Sequence, residues 1–372
     1  MKQFFDPEGT VVGLRQCLEK CSGQPETSGL LVLCADGNNL TPEALDPVMR
    51  QATHPIAGGI FPGIIHNGRL HKKGTLVICL PGAFSIQVIK GLSDPDADFE
   101  ESLIGQIADN SQVRTLILFV DGFATRISSF IESLFNVFGL DLNYVGGGAG
   151  SLSMARKPYL LTNEGMMEDC AVLAFLTTES GIGVSHGWKE LSGPYQVTSA
   201  EANVIHSIEW QPAFDFYRRI IYYHTGATVD RNDFYAIAQH HPFGIARLNG
   251  EQIIRDPIQV GADESLICVG EVQTGAFISV MKGDADLLVR AAAESLARAL
   301  ETFPADRQAR FRFFVDCISR VIVLGTRFRD EIEAVQDHNA SVSGVCSMGE
   351  IANSGTDFLE WYNKTSVMAV LG

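Results

Sequence analysis

Several short stretches hold residue types that do chemistry in other proteins, and their spacing sorts them. Gly183-Val184-Ser185-His186-Gly187 fits the G-x-S-x-G pattern of a serine nucleophile, which needs a strand that turns straight into a helix. The residues that follow, Trp188 to Pro194, end in a glycine-proline break, so a serine hydrolase is not expected. Gly146-Gly147-Gly148 and Gly150 invite a phosphate loop, yet Ser151 and not a lysine follows Gly150 directly. Ser151 also stands where G-x-G-x-x-G requires its third glycine. These glycines therefore indicate a backbone that something approaches closely, either another strand or a ligand. Cys17 and Cys21 share a helix face without two further ligands, which reads as packing. His54, His66 and His71 fall at turn margins with no zinc spacing, and the side chains of His240 and His241 diverge in any regular element. Neither a metal nor a cofactor is expected. Cys317 and Cys346 remain as candidate nucleophiles, which would need a base and an oxyanion hole beside them. The last strand unit offers one histidine, His338.

The elements that would carry these residues repeat. Leu30 to Cys34 reads as a strand, Thr41 to Ala52 as a helix, Ile56 to Ile60 as a glycine-bearing strand, and Leu76 to Leu80 as another strand. The same order returns with Leu116 to Val120, the helix Ile127 to Phe138, the strand entering Gly146, and Val172 to Leu176. A third copy runs through Phe313 to Ile318, a helix with Phe328, Ile332 and Val335 on one face, Ala340 to Cys346, and Thr365 to Leu371. The irregular repeat length excludes a solenoid. Strands such as LLVLC, LILFV and VLAFL are apolar throughout and need cover on both faces. The expected fold is α/β: repeated β-α-β-β units forming two halves with mixed β-sheets covered by outer helices. We expect an N-terminal extension at 1–24 and two domains at 25–195 and 196–372, with the two halves packed sheet against sheet. Between the second and third copies lie a strand pair turning at Ala202-Asn203, a helix over Pro212 to Tyr223, and a long helix over Asp286 to Phe303.

Composition narrows the function classes. A 372-residue chain with 46% hydrophobic and 19% charged residues has the material for a large core. With 28 basic residues against 44 acidic ones, the net charge of -16 disfavours nucleic acid and anionic membrane surfaces. No apolar run reaches the roughly 18 residues of a membrane helix, and Asp6-Pro7 interrupts the place of a signal peptide. These features read as a cytoplasmic protein of bacterial style. Its eight cysteines, without any C-x-x-C, read as buried thiols.

Five segments, HPIAGGIFPGII, YVGGGAGS with NEGMMEDCAVLAFL, HPFGI with IIRDP, DCISR, and GVCSMGEI with YNKTSVMAVLG, give the chain its resemblance to a known family. In this order and at these separations they resemble the FIST family of paired N-terminal and C-terminal sensory domains, over about residues 25 to 372. The resemblance implies a sensor of small ligands, amino acids or related carboxylates among them, that passes its signal to an output module. The sequence up to Gly372 carries no kinase, cyclase, chemoreceptor or F-box segment, so output through a separate signalling protein is expected. Matching the C-terminal motifs selects Cys317, Arg320, Gly349, Glu350, Asn363, Thr365 and Arg255 as candidate ligand-binding residues. An arginine fork suits a carboxylate and a glutamate suits an ammonium, a pair fitted to a zwitterion. The competing expectation is that Arg320 and Glu350 pair with each other. Two further readings stay open: a cysteine enzyme using Cys317 or Cys346, and an interaction scaffold without ligand whose acidic surface favours a basic partner.

Overall fold

The computed structural model describes residues 1–82, 84–104, 112–247, 252–336, 342–353 and 358–372. His338 lies outside them. The three repeated units form, and each is the core of a mixed six-stranded sheet. In the first, Gly29–Ala35 pairs in parallel with Ile56–Phe61 and antiparallel with Thr75–Leu80. In the second, Thr115–Asp121 stands between Asn143–Ala149 and Cys170–Leu176 with the same senses. In the third, Phe311–Cys317 stands between Val342–Ser347 and Ser366–Leu371. The α/β reading holds, and all nine strands are buried along almost their whole length, Arg312 and Asp316 of the third unit included.

The units are interlocked by a cyclic exchange. The hairpin that follows the second strand of each unit leaves its own sheet and completes the edge of another. Gly63–His66 of the first unit pairs with Val342–Ser347 of the third. Leu160–Thr162 of the second pairs with Ile56–Phe61 of the first. Glu350–Ala352 of the third pairs with Asn143–Ala149 of the second. The unit nearest the C-terminus is thus built into one body with the two from the N-terminal part. Their inner faces share one core, where Phe119 meets Phe61 at 5.3 Å and Phe313 at 6.3 Å between ring centroids. Helices Val11–Ser22 and Pro42–Met49 cover the first sheet, Ile127–Phe138 the second, and Ala285–Thr302 the third. The predicted extension is part of this body. Lys2–Asp6 adds an edge strand to the first sheet, and Leu14, Cys17, Leu18 and Cys21 bury one helix face against it.

Glycine does a specific job at the middle of each second strand. A Cβ on Gly146 or on Gly344 would collide with the carbonyl oxygen of Leu118 or Phe314 on the paired strand, so no other residue fits that close approach. The glycine runs thus serve packing between strands.

The segment between the second and third units closes on itself. Six antiparallel strands, Lys189–Glu201, Phe277–Lys282, Phe243–Ala246, Gln252–Val260, Leu266–Val269 and Val204–Ile208, pair in a ring because the first and last also pair with each other. Closure removes the unpaired sheet edges. The helix Ala213–Thr225 buries Phe214, Tyr217 and Ile221 in the same cluster as Val197, Phe243 and Val280. Ser185 ends the strand Ser180–Ser185, and the chain runs on into a strand, not a helix, with the serine hydroxyl donating to Glu294 at 3.1 Å.

Candidate functional site

The C-terminal motifs converge where the third sheet meets the barrel, and the structure divides them into a closed part and an open part. The closed part centres on Arg320. The strand Phe311–Cys317 gives way at once to the helix Ile318–Leu324, so Arg320 sits in the first turn with its side chain wholly buried. All five of its N–H groups are used. Nε donates to Glu331 at 3.0 Å, Nη1 to the carbonyls of His186 at 2.7 Å and Lys364 at 3.3 Å, and Nη2 to Leu288 O at 2.9 Å and to Glu331. Asp316 adds an ion pair at 3.1 Å. The pairing of Arg320 with Glu350 expected from sequence is replaced by pairing with Asp316 and Glu331. Arg320 therefore has no donor to spare for a ligand.

Glu350 is equally buried and accepts from Ser347 Oγ at 2.7 Å and from the backbone N–H of Thr365 at 3.3 Å. Burial pushes its pKa up to about 8, against the opposing bonds from Ser347, Cys317 and Thr365. Cys317 and Cys346 are buried thiols whose pKa values burial holds well above the ordinary value, and a neutral buried thiol is a poor nucleophile. Thr365 donates its hydroxyl to Asn363 O at 2.8 Å. Gly349, with φ +134°, makes room for Trp361, whose ring occupies the space a side chain would need. A second buried pair ties the barrel to this region. Lys364 Nζ lies 3.0 Å from Asp256 Oδ2 and 5.2 Å from the Trp188 ring centre, and Asp256 also accepts from Ser319 at 3.2 Å and Tyr235 at 3.3 Å.

The open part centres on Arg255, in the barrel strand Gln252–Val260. Its Nε donates to Glu271 O at 3.0 Å, and Nη1 donates to Ile254 O at 3.1 Å and Trp361 O at 3.0 Å. Nη2 makes no hydrogen bond and is not sealed from solvent, and Arg255 lines a cleft of about 460 Å³. Burial lowers the Arg255 pKa to about 10, which leaves it charged at neutral pH. The cleft lies between the barrel, the second-unit helix through Ile131 and Phe135, and the strand Glu360–Tyr362 through Trp361. At its rim Arg247 and Glu360 pair at 2.5 Å. Glu132 and Glu271 add acidic groups, and burial raises the Glu360 pKa.

Asn363 lies beside Arg255. Its amide is buried, with neither Oδ1 nor Nδ2 hydrogen-bonded. Gly270, with φ +83°, separates the two, since a Cβ there would stand 3.0 Å from Arg255 Nε and 3.3 Å from Asn363 Oδ1. Of the seven residues chosen from sequence, Arg255 lines the cleft and Asn363 is buried close behind it, while Cys317, Arg320, Gly349, Glu350 and Thr365 belong to the closed core. Sequence reasoning passed over Asp256, Asp316 and Lys364, although the segments IIRDP, DCISR and YNKTS contain them. Glu271, Glu331 and Glu360 gave no signal beyond their charge. Among the described residues no group of three or more His, Cys, Asp or Glu side chains is placed to hold a metal, and no helix is long and apolar enough to cross a membrane.

Comparison with known proteins agrees with the motif reading. The FIST N domain matches residues 29–211 and the FIST C domain residues 213–353. An uncharacterized protein of Methanocaldococcus jannaschii is 24% identical over 302 residues, covering 73% of this chain and 55% of the relative. The chain thus spans about half the length of that relative.

Proposed function

This chain belongs to the FIST family of sensory domains of signal transduction, and we propose that it senses a zwitterionic amino acid or a related carboxylate in the Arg255 cleft. The observation that carries the reading is that Arg255 lines the cleft with its Nη2 left without a hydrogen bond, and that the buried Asn363 amide near its guanidinium is unpartnered. A carboxylate received there gains charge-assisted bonds in partly desolvated surroundings. Glu132 and Glu271 offer acceptors for an ammonium, and Trp361 and Phe135 an apolar wall for a side chain. Binding without turnover is favoured because both candidate nucleophiles are sealed, neutral thiols. In this reading the sensor works in the cytoplasm and reports to a separate signalling protein. The cleft suits that role, because one ligand would touch the barrel, the second unit and a strand donated by the third.

A thermal-shift screen against amino acids, dicarboxylates and nucleotides tests the proposal. A ligand present at a hundred times its Kd adds about 2.7 kcal/mol of stability to the native form, enough for a clear rise in Tm. The expected hits are amino acids or carboxylates, and their effect should fade in an Arg255→Ala variant. Hits confined to nucleotides, or a response untouched by that substitution, would count against the cleft.

A further inference from the structure

The segment Ser185-His186-Gly187, which builds no nucleophile, borders a groove of its own. The groove measures about 670 Å³ and is lined by the helix Ala285–Thr302 and the start of the barrel strand Lys189–Glu201. It shares no lining residue with the Arg255 cleft. Counting its donors and acceptors shows which are left for a ligand. The carboxylates are occupied. Glu294 accepts from the Ser185 hydroxyl at 3.1 Å, and Glu190 accepts from Ser279 at 2.7 Å and Gln252 at 3.3 Å. Two cations are not. Lys189 and Arg290, both exposed, have no hydrogen-bond or ion-pair partner among the described residues. Lys189 also stands directly opposite Lys282 on the neighbouring strand, and Lys282 is equally unpaired. Like charges so placed repel each other, and an anion beside them offsets the repulsion.

His186 adds a neutral donor to this set. Its Nδ1 accepts the Trp188 backbone N–H at 2.9 Å, which places the ring hydrogen on Nε2, and Nε2 has no acceptor among the described residues. Burial, with the positive charges of Arg320 and Arg298 nearby, lowers the His186 pKa to about 4, so the ring stays neutral at pH 7. We propose that this groove receives a phosphate group, carried by a small phosphorylated molecule or free in solution, on Arg290, Lys189 and the His186 N–H. A phosphate monoester brings nearly two negative charges and three strong acceptor oxygens, enough to engage both cations and the imidazole donor together. A carboxylate has one charge and two oxygens and leaves part of the set unused.

Calorimetric titration of the full chain with inorganic phosphate, glycerol phosphate and acetate, at constant ionic strength, tests the proposal. Wild type should bind at least one of the two phosphates saturably and bind acetate more weakly. Either phosphate supports the site, and the tighter of the two identifies the source. Arg290→Gln and Lys189→Gln, at exposed positions, should each weaken binding by about tenfold or more, as expected for a lost charge-assisted hydrogen bond, with melting curves unchanged. Arg255→Ala should bind phosphate as wild type does, so failure of the amino-acid screen leaves this site untouched. Absence of saturable phosphate binding, acetate binding of equal strength, or phosphate affinity that survives both substitutions would overturn the proposal.

Discussion

Arg320 and Arg255 are both arginines buried beside the barrel, the first on the third unit and the second against the strand Glu360–Tyr362 of the second sheet, and their donors are used very differently. Arg320 is enclosed by two carboxylates and three carbonyls and has every donor occupied. Arg255 meets only backbone carbonyls through Nε and Nη1, leaves Nη2 without a hydrogen bond, and lines a cleft. Burial alone therefore does not tell an arginine whose donors are all used from one with a donor to spare. What separates the two is the number of donors left over once the protein's own acceptors are counted.

The largest effect should come from breaking the closed member. Arg320→Met strands Asp316 and Glu331 in the core without a cation, and removal of one partner of a buried ion pair typically costs about 3–5 kcal/mol. Urea unfolding should show that loss, and adding Asp316→Asn and Glu331→Gln should return part of it. Loss of small-ligand response in Arg320→Met at temperatures where it remains folded would blur the distinction.

Glu350 gives a pH-dependent version of the same contrast. Its folded pKa of about 8 lies above the ordinary 4.5, so the folded state holds a proton that the unfolded chain has released. The group's contribution is fully present below pH 4.5 and is lost as pH rises to about 8. The slope approaches about 1.4 kcal/mol per pH unit within that window. His186 works in the other direction. Burial lowers its pKa to about 4, so its contribution is present above the ordinary 6.5 and is lost as pH falls toward 4. Subtracting the urea stability of Glu350→Gln from that of wild type at each pH isolates the glutamate, and a flat difference from pH 5 to 8 would contradict the assignment.

Smaller effects belong to the open member. Gly270→Ala puts a methyl group 3.0 Å from Arg255 Nε at a positive φ. It should cost about 1 kcal/mol of stability and weaken ligand binding through crowding of Arg255 and Asn363. Equal affinity in Gly270→Ala and wild type would move the ligand away from that corner.

The difference between the two arginines also marks what could be read from sequence. The three units were legible because their strands are mostly apolar and recur in the same order, and the glycine runs correctly signalled close backbone approach. The exchange of hairpins was not, since Val345 opposite Ile64 is a long-range register that no local pattern encodes. Ring closure of the barrel was hidden for the same reason: the long strand Lys189–Glu201 has few buried residues, and its partners lie far along the chain. At the site, the motifs selected two buried arginines, of which Arg320 has every donor occupied and Arg255 does not. Glu331 reads as one more surface charge in TRFRDEIEA, yet it is wholly buried and takes up Arg320. IIRDP carried Arg255 into view, whereas Glu271 and Trp361 join it only through folding.

The central claim is that Arg255, and not Arg320, receives the ligand. Its most direct test is the dissociation constant of the best hit from the ligand screen, measured by calorimetry for wild type and Arg255→Lys. Lysine keeps the charge and loses the fork, and the account predicts binding weakened by about 10- to 100-fold, in line with the loss of one or two charge-assisted hydrogen bonds, with a cooperative thermal melt retained. Unchanged affinity in a folded Arg255→Lys protein would contradict it.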